Sequence, residues 1–271
     1  MDTRPIGIFD SGLGGLTALR ALRSLMPDEN IIYFGDTGRN PYGVRGADEL
    51  RIMARQDMEL LAARGAKAII AACGTVSSTA GDILAEFRVP VINVIDASAL
   101  KLSRTPGDAP LGVIATGASI KSGAFKRRLQ ALCPGREIVD IACQDFVRLI
   151  EDGHTDPGDA LLRRAVESLL APMREAHIGA LLLGCTHFDF VAEAIGDYLG
   201  HDVALVSAAG CAAEEMCAYL TARGLTGGEG TTQYFTSGST ADFAAHAARF
   251  LGHGIGDSVH AASADETEAA T

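Results

Sequence analysis

Eight short apolar runs recur along this chain, and longer segments of helical period separate them. The runs are "PIGIFDSG", "NIIYFGDT", "AKAIIAACGT", "VPVINVID", "PLGVIATG", "EIVDIAC", "ALLLGCTH" and "DVALVSAA". Each is rich in Val and Ile or continuously apolar, as strands covered on both faces are. The intervening segments at 14–26, 46–64, 77–86, 120–132, 143–151, 158–176, 188–199 and 208–223 have the period and length of helices. Strand and helix in strict alternation restrict the chain to an α/β fold with mostly parallel sheets and helices on both sheet faces.

The Pro- and Gly-rich stretch "SRTPGDAP", residues 103–110, is the best internal linker. The halves on either side of it look alike. "AIIAAC" pairs with "ALLLGC" at an offset of 112, and "GIFDSG" pairs with "GVIATG" at an offset of 105, which suggests a duplicated α/β unit. The last sixteen residues, "GDSVHAASADETEAAT", lack apolar periodicity, so 256–271 is expected to be a disordered tail.

Charge narrows the ligand class. Lys and Arg total 23 against 34 Asp and Glu, a formal charge of -11, and no basic block is present to neutralise a run of phosphates. A nucleic-acid partner is therefore not expected. No apolar run reaches the roughly 18 to 20 residues of a membrane span, and "MDTRPIGIFD" lacks a signal layout, so no membrane is expected and the cytoplasm is the expected compartment. Six cysteines without a C-x-x-C pair read as free thiols, with no structural metal site.

Two of those cysteines, Cys73 and Cys185, each end an apolar run and are each followed by a hydroxyl residue, Thr75 and Thr186. In open parallel sheets, ligands sit beyond the carboxyl ends of the strands. Asp10, Ser11, Cys73, Thr75, Thr116, Cys185 and His187 are all expected at such ends, and if the halves face each other the two thiols confront one another across a cleft. Inverting a hydrogen-bearing carbon centre needs one group to take the proton from one face and another to return it from the opposite face. A thiol of ordinary pKa about 8.5 is readily poised for either role by a neighbour. Asp10 is the candidate neighbour of Cys73, and His187 that of Cys185.

The strings "PIGIFDSGLGGLTALRAL", "YFGDTGRNPYG", "ACGTVSS", "GVIATGASIKSGAF" and "LLLGCTHF", in this order, resemble the glutamate racemases of the aspartate/glutamate racemase superfamily. The similarity runs from about residue 5 to residue 251, closing on "YFTSGSTADFAAHAARFLG". It implies two pseudosymmetric α/β domains, 1–96 plus 207–255 and 97–206, with the active site in the cleft between them. It implies a cofactor-independent isomerase with no metal, acting on a small amino acid in the cytoplasm, a homodimer in many relatives. It further implies a reaction that supplies D-glutamate for peptidoglycan, the bacterial cell wall. The catalytic set carried over is Cys73, Cys185, Asp10, His187 and Glu151. Substrate contacts fall on Ser11, Pro41, Tyr42, Gly43, Gly74, Thr75, Thr116, Ser119 and Thr186. The Gly-rich turn "DSGLGG" suits a substrate carboxylate through its free backbone N–H groups.

The chain departs from the family's pattern at informative places. Gly74 stands where the family has Asn, Ser119 where it has a second Thr, Phe188-Asp189 where it has Tyr-Pro, and "IACQDFVRLIEDG" lacks the usual prolines. Through Gly74 the alternative of a sister enzyme, an aspartate or other acid racemase or isomerase, stays open, as does a non-catalytic regulatory relative. Restoring the amide with Gly74→Asn is expected either to raise activity on glutamate or to lower it if glycine is needed for a positive φ. Pyridoxal chemistry is disfavoured, because no Lys stands in any strand-end motif to form the Schiff base.

Overall fold

The computed structural model describes residues 1–264. The first half runs β1 (Ile6–Asp10), α1 (Leu16–Leu25), β2 (Ile31–Gly35), α2 (Ala47–Ala63), β3 (Ala68–Ala71), α3 (Gly74–Thr79), α4 (Gly81–Glu86), β4 (Val91–Asn93) and α5 (Val94–Ser103). The second half continues with β5 (Leu111–Ala115), α6 (Gly117–Ser122), α7 (Ala124–Leu132), β6 (Ile138–Ala142), α8 (Gln144–Glu151), α9 (Ala160–Glu175), β7 (Ala180–Leu183), α10 (Ala192–Leu199) and β8 (Ala204–Ser207). The chain then returns through α11 (Ala208–Ala222), β9 (Thr232–Thr236), α12 (Thr240–Leu251) and β10 (Val259–Ala261). Among the described residues no helix is long and apolar enough to cross a membrane.

The strands form two parallel sheets, of order β10-β9-β2-β1-β3-β4 and β6-β5-β7-β8. The segment β2-β1-β3-β4 has the same strand order as the whole of the second sheet, so the duplication read from the sequence is present as topology. Cys73 follows β3 and Cys185 follows β7, which are equivalent strands. The central strands β1, β2 and β5 are buried along their whole length, which is why they read as unbroken apolar runs.

Helices α5 and α11 lie between the sheets. One apolar cluster joins Ile8, Tyr33 and Ile70 of the first sheet to Val113 and Leu182 of the second through Leu102, Ala212 and Met216. Separate clusters cover the outer faces, α2 against the first sheet and α8, α9 and α10 against the second. Several helices start directly at strand ends. Asn93 accepts from Ile95 N and Asp96 N, Thr116 from Ser119 N, and Ser207 from Gly210 N. Each such cap is worth about 1 kcal/mol and fixes where the strand stops.

Three expectations change. "VPVINVID" is not one strand; Asn93 ends β4 and caps α5. The segments 77–86 and 120–132 each divide, at Ala80 and at Gly123, where Gly123 takes φ 67°. The expected disorder of 256–271 fails for its first part. Val259–Ala261 adds a parallel strand beside β9, and Val259 and Ala264 are buried. The edge of an existing sheet supplies the hydrogen bonds there, so the segment needs no periodicity of its own. Residues 265–271 lie outside the described residues.

Candidate active site

A cavity of about 640 Å³ opens where the carboxyl ends of the two sheets meet, a volume in the usual range for small-molecule sites. Asp10, Ser11, Pro41, Tyr42, Gly43, Cys73, Gly74, Thr75, Thr116, Glu151, Cys185, Thr186 and His187 all line it. Ser119 does not. It is fully buried, its Oγ 3.1 Å from Thr116 Oγ1, so it braces a lining residue from behind.

On the first side, Cys73 stands between β3 and α3, 5% exposed, with its Sγ 3.6 Å from Ser11 Oγ. Burial, with the charge of Asp10 second, pushes its thiol up to about 12. Asp10 is itself raised, chiefly by burial, against the pull of His187 and of the backbone N–H groups of the Gly-rich turn. Gly12 N donates to Asp10 Oδ2 at 3.0 Å, and the buried Tyr33 hydroxyl donates to Gly12 O at 2.9 Å. At least part of this turn's N–H set is therefore spent on Asp10.

On the second side, Cys185 Sγ lies 3.8 Å from His187 Nδ1, and His187 Nε2 lies 3.4 Å from Glu151 Oε1, an ion-pair distance without a well-formed hydrogen bond. Burial alone would lower the histidine's pKa, but Cys185, Glu151 and Asp10 together outweigh it and lift it to about 10. The imidazolium is thus the form held at neutral pH. The two thiols have unlike neighbours: a buried carboxyl beside Cys73, a cation beside Cys185.

The turn and the histidine fit together at Gly14. A Cβ there would stand 2.4 Å from Thr186 Oγ1 and 2.5 Å from His187 Nδ1, so the glycine gives its side-chain space to the opposite half. Thr17 Oγ1 reaches Thr186 O at 3.1 Å across the same contact, and the Phe250 ring meets the imidazole edge to face at 5.7 Å between centroids.

Sequence reading missed several lining residues, among them Asn40, Gln144, Val147, Arg148 and Gly184. Gln144 and Arg148 were findable: with Glu151 they fall at i, i+4 and i+7 of α8, one helical face. Arg148, in the segment that lacks the usual prolines, is the only Lys or Arg lining the cavity among the described residues.

The Asp/Glu/hydantoin racemase family model matches residues 19–216. A glutamate racemase of Desulforudis audaxviator is 37% identical over 257 residues, covering 91% of this chain and 93% of the relative. The structure of a Francisella tularensis glutamate racemase in complex with D-glutamate superposes with TM-score 0.89 at 32% identity, covering 98% of this chain and all of that one. A Thermus thermophilus glutamate racemase in complex with β-chloro-D-alanine superposes with TM-score 0.87 at 36% identity over 98% of this chain and all of that one. With an outer match this long, two equivalent strand-end cysteines on one cavity and the shared two-sheet topology, the chain belongs to the Asp/Glu/hydantoin racemase family, a family of isomerases, and groups within it with the glutamate racemases.

Proposed function

We propose that the protein interconverts L- and D-glutamate by proton transfer between two thiols, without a cofactor, and so supplies D-glutamate for peptidoglycan in the cytoplasm. The observation that carries this is the pair Cys73 and Cys185, on equivalent strands of two like sheets, lining one cavity with unlike neighbours. The substrate's α-carbon sits between them. In one direction Cys185 takes the α-proton and Cys73 returns a proton to the opposite face; in the other the roles exchange. A thiol held up to about 12 enters as the acid, and Cys185, 3.8 Å from His187 Nδ1, enters as the base. Ser11, Thr75, Thr116, Thr186 and the 41–43 loop hold the substrate, and Arg148 gives the mouth of the cavity a positive charge for an anionic amino acid. The units that close on it are taken as 1–96 with 207–255, and 97–206.

Incubating the purified protein with single enantiomers of glutamate and of aspartate in deuterated water tests the reading. Deuterium appears at the α-carbon as optical activity decays, with glutamate preferred and no added pyridoxal phosphate or metal needed. Racemisation of aspartate alone would move the protein to a sister activity.

Gly74 bears on the same choice. Its φ is not positive, so conformational freedom is not what requires glycine there. Space is: a Cβ at 74 would stand 2.9 Å from the Gly184 carbonyl oxygen, a backbone atom on the strand end that carries Cys185. A side chain at 74 therefore wedges apart the two backbones that set the spacing of the thiols. Gly74→Asn is expected to lower kcat/KM for both glutamate enantiomers about tenfold, since misplacing reacting groups outweighs the 0.5 to 1.5 kcal/mol that one added hydrogen bond contributes. Steady-state kinetics on both enantiomers decides it, and a gain of about twofold or more would show that the missing amide matters more than the spacing.

A further inference from the structure

The loop carrying Pro41, Tyr42 and Gly43 forms one wall of the cavity, yet it belongs to neither sheet. A buried polar cluster behind it holds it in place. Tyr42 is 1% exposed, and its hydroxyl points away from the thiols, bonding Asp36 Oδ2 and lying 2.9 Å from Asp57 Oδ2. Arg39 spans the same two carboxyls, Nε 2.6 Å from Asp36 Oδ2 and Nη2 2.7 Å from Asp57 Oδ1. Ser237, just after β9, donates to Asp36 Oδ1 at 2.6 Å. Both aspartates are fully buried.

Proton counting gives this cluster a direction. A phenol has one hydrogen to donate, and a carboxylate has none. Arg39 and Ser237 donate to Asp36 on its two oxygens, so Asp36 is an acceptor throughout, and the Tyr42 hydrogen serves it. The 2.9 Å contact between Tyr42 Oη and Asp57 Oδ2 is then a hydrogen bond only if the hydrogen comes from Asp57. We infer that Asp57 is held as the neutral acid and donates to Tyr42, which donates to Asp36, and that this one-way chain is the positioning device for the substrate-orienting wall at 41–43. The charged and titratable groups facing Asp57 agree with it. Burial first, then the Asp36 carboxylate and the more distant Asp10, push its pKa well above the ordinary carboxyl range, while the Arg39 charge pulls the other way without overcoming them. Asp36, Arg39 and Asp57 act through Tyr42 and are positioning residues; none of the three lines the cavity.

The inference rests on the glutamate reading only for its kinetic readout. Asp57→Ala, which removes the donor, is expected to raise KM for both glutamate enantiomers about tenfold with kcat within about threefold, a change confined to substrate placement. Asp57→Asn, whose amide donates from the position of the protonated acid, recovers KM to within about twofold of wild type, whereas Asp36→Asn, which takes a charged acceptor from three donors, does not. Tyr42→Phe, which keeps the ring and its packing, repeats the Asp57→Ala effect and serves if the alanine variant fails to fold. Asp57→Asn as impaired as Asp57→Ala, or Tyr42→Phe with unchanged KM, would overturn the inference. A readout free of turnover uses protein enriched in ¹³C-aspartate. One carboxyl resonance, lost in Asp57→Asn, stays at the protonated position from about pH 5 to about pH 8, where ordinary aspartates are ionised; at the ionised position it would refute the neutral acid. Wild-type protein inert towards glutamate would sink the glutamate reading alone, and the resonance would still decide the chain of donors.

Discussion

Cys73→Ala abolishes interconversion of the glutamate enantiomers, lowering kcat/KM by about 10³-fold or more in both directions, and Cys185→Ala does the same, because each direction needs one thiol as base and the other as acid. Exchange and inversion part company in these variants. With only one thiol left, α-proton exchange with deuterated solvent survives at most for the enantiomer whose hydrogen faces that thiol, and the product keeps its configuration. The geometry makes the two losses unequal in character. Cys73 is held protonated by burial beside Asp10, whereas Cys185 lies against an imidazolium. Circular dichroism at fixed wavelength follows inversion, and proton NMR follows exchange. A single variant that racemised near the wild-type rate would remove the two-thiol mechanism.

Gly14→Ala is the second large effect, at a residue with no functional group. The added methyl needs the space now filled by Thr186 Oγ1 and the His187 ring, at 2.4 and 2.5 Å, and neither can retreat freely. Thr186 is tied to Thr17 through its backbone, and the imidazole is backed by Phe250 and Glu151. The expected outcome is a fall in kcat of about 10²-fold, the scale of misplacing one acid/base group by about an ångström, with far-UV circular dichroism unchanged. His187→Ala falls to a similar level, and adding Gly14→Ala to it costs less than the product of the two losses, since only the clash with Thr186 Oγ1 is left for the methyl to make. Independent, multiplying losses in the double variant would mean that the Gly14 contact serves something other than the histidine.

The parts of this molecule legible in the sequence are those whose causes are local. β1, β3, β5 and β7 are covered on both faces, and so wrote themselves as apolar runs ending in Asp10, Cys73, Thr116 and Cys185. The elements that went unread were those whose support comes from elsewhere. β10 is three residues long and is ordered by the edge of β9. Asn93 looks like one more residue in an apolar run until its side chain is seen to cap α5. Tyr42 was assigned by resemblance, but its hydrogen-bond partners lie at 36 and 57, and the residues that brace Asp36 lie at 39 and 237, with no shared spacing, so no local pattern announces them. The glycines of the first turn suggested an anion cradle. One of them instead makes room for a histidine 173 positions later, a constraint visible only once both halves are in place.

Helices α5 and α11 have a folding consequence. They give Val113 and Leu182 of one sheet, and Ile8 and Ile70 of the other, a common apolar interior rather than two interiors joined by a tether. Neither half can melt while the other keeps its full cover, so heat or denaturant should meet a single cooperative transition in which the catalytic cleft disappears together with the protein's resistance to unfolding. A polypeptide cut to 97–206 would lack α11 and part of α5, leaving the inner face of its sheet open to water and to other chains during synthesis. The late return of the chain through residues 208–261 thus makes completion of the C-terminal region a condition for burying the middle of the molecule.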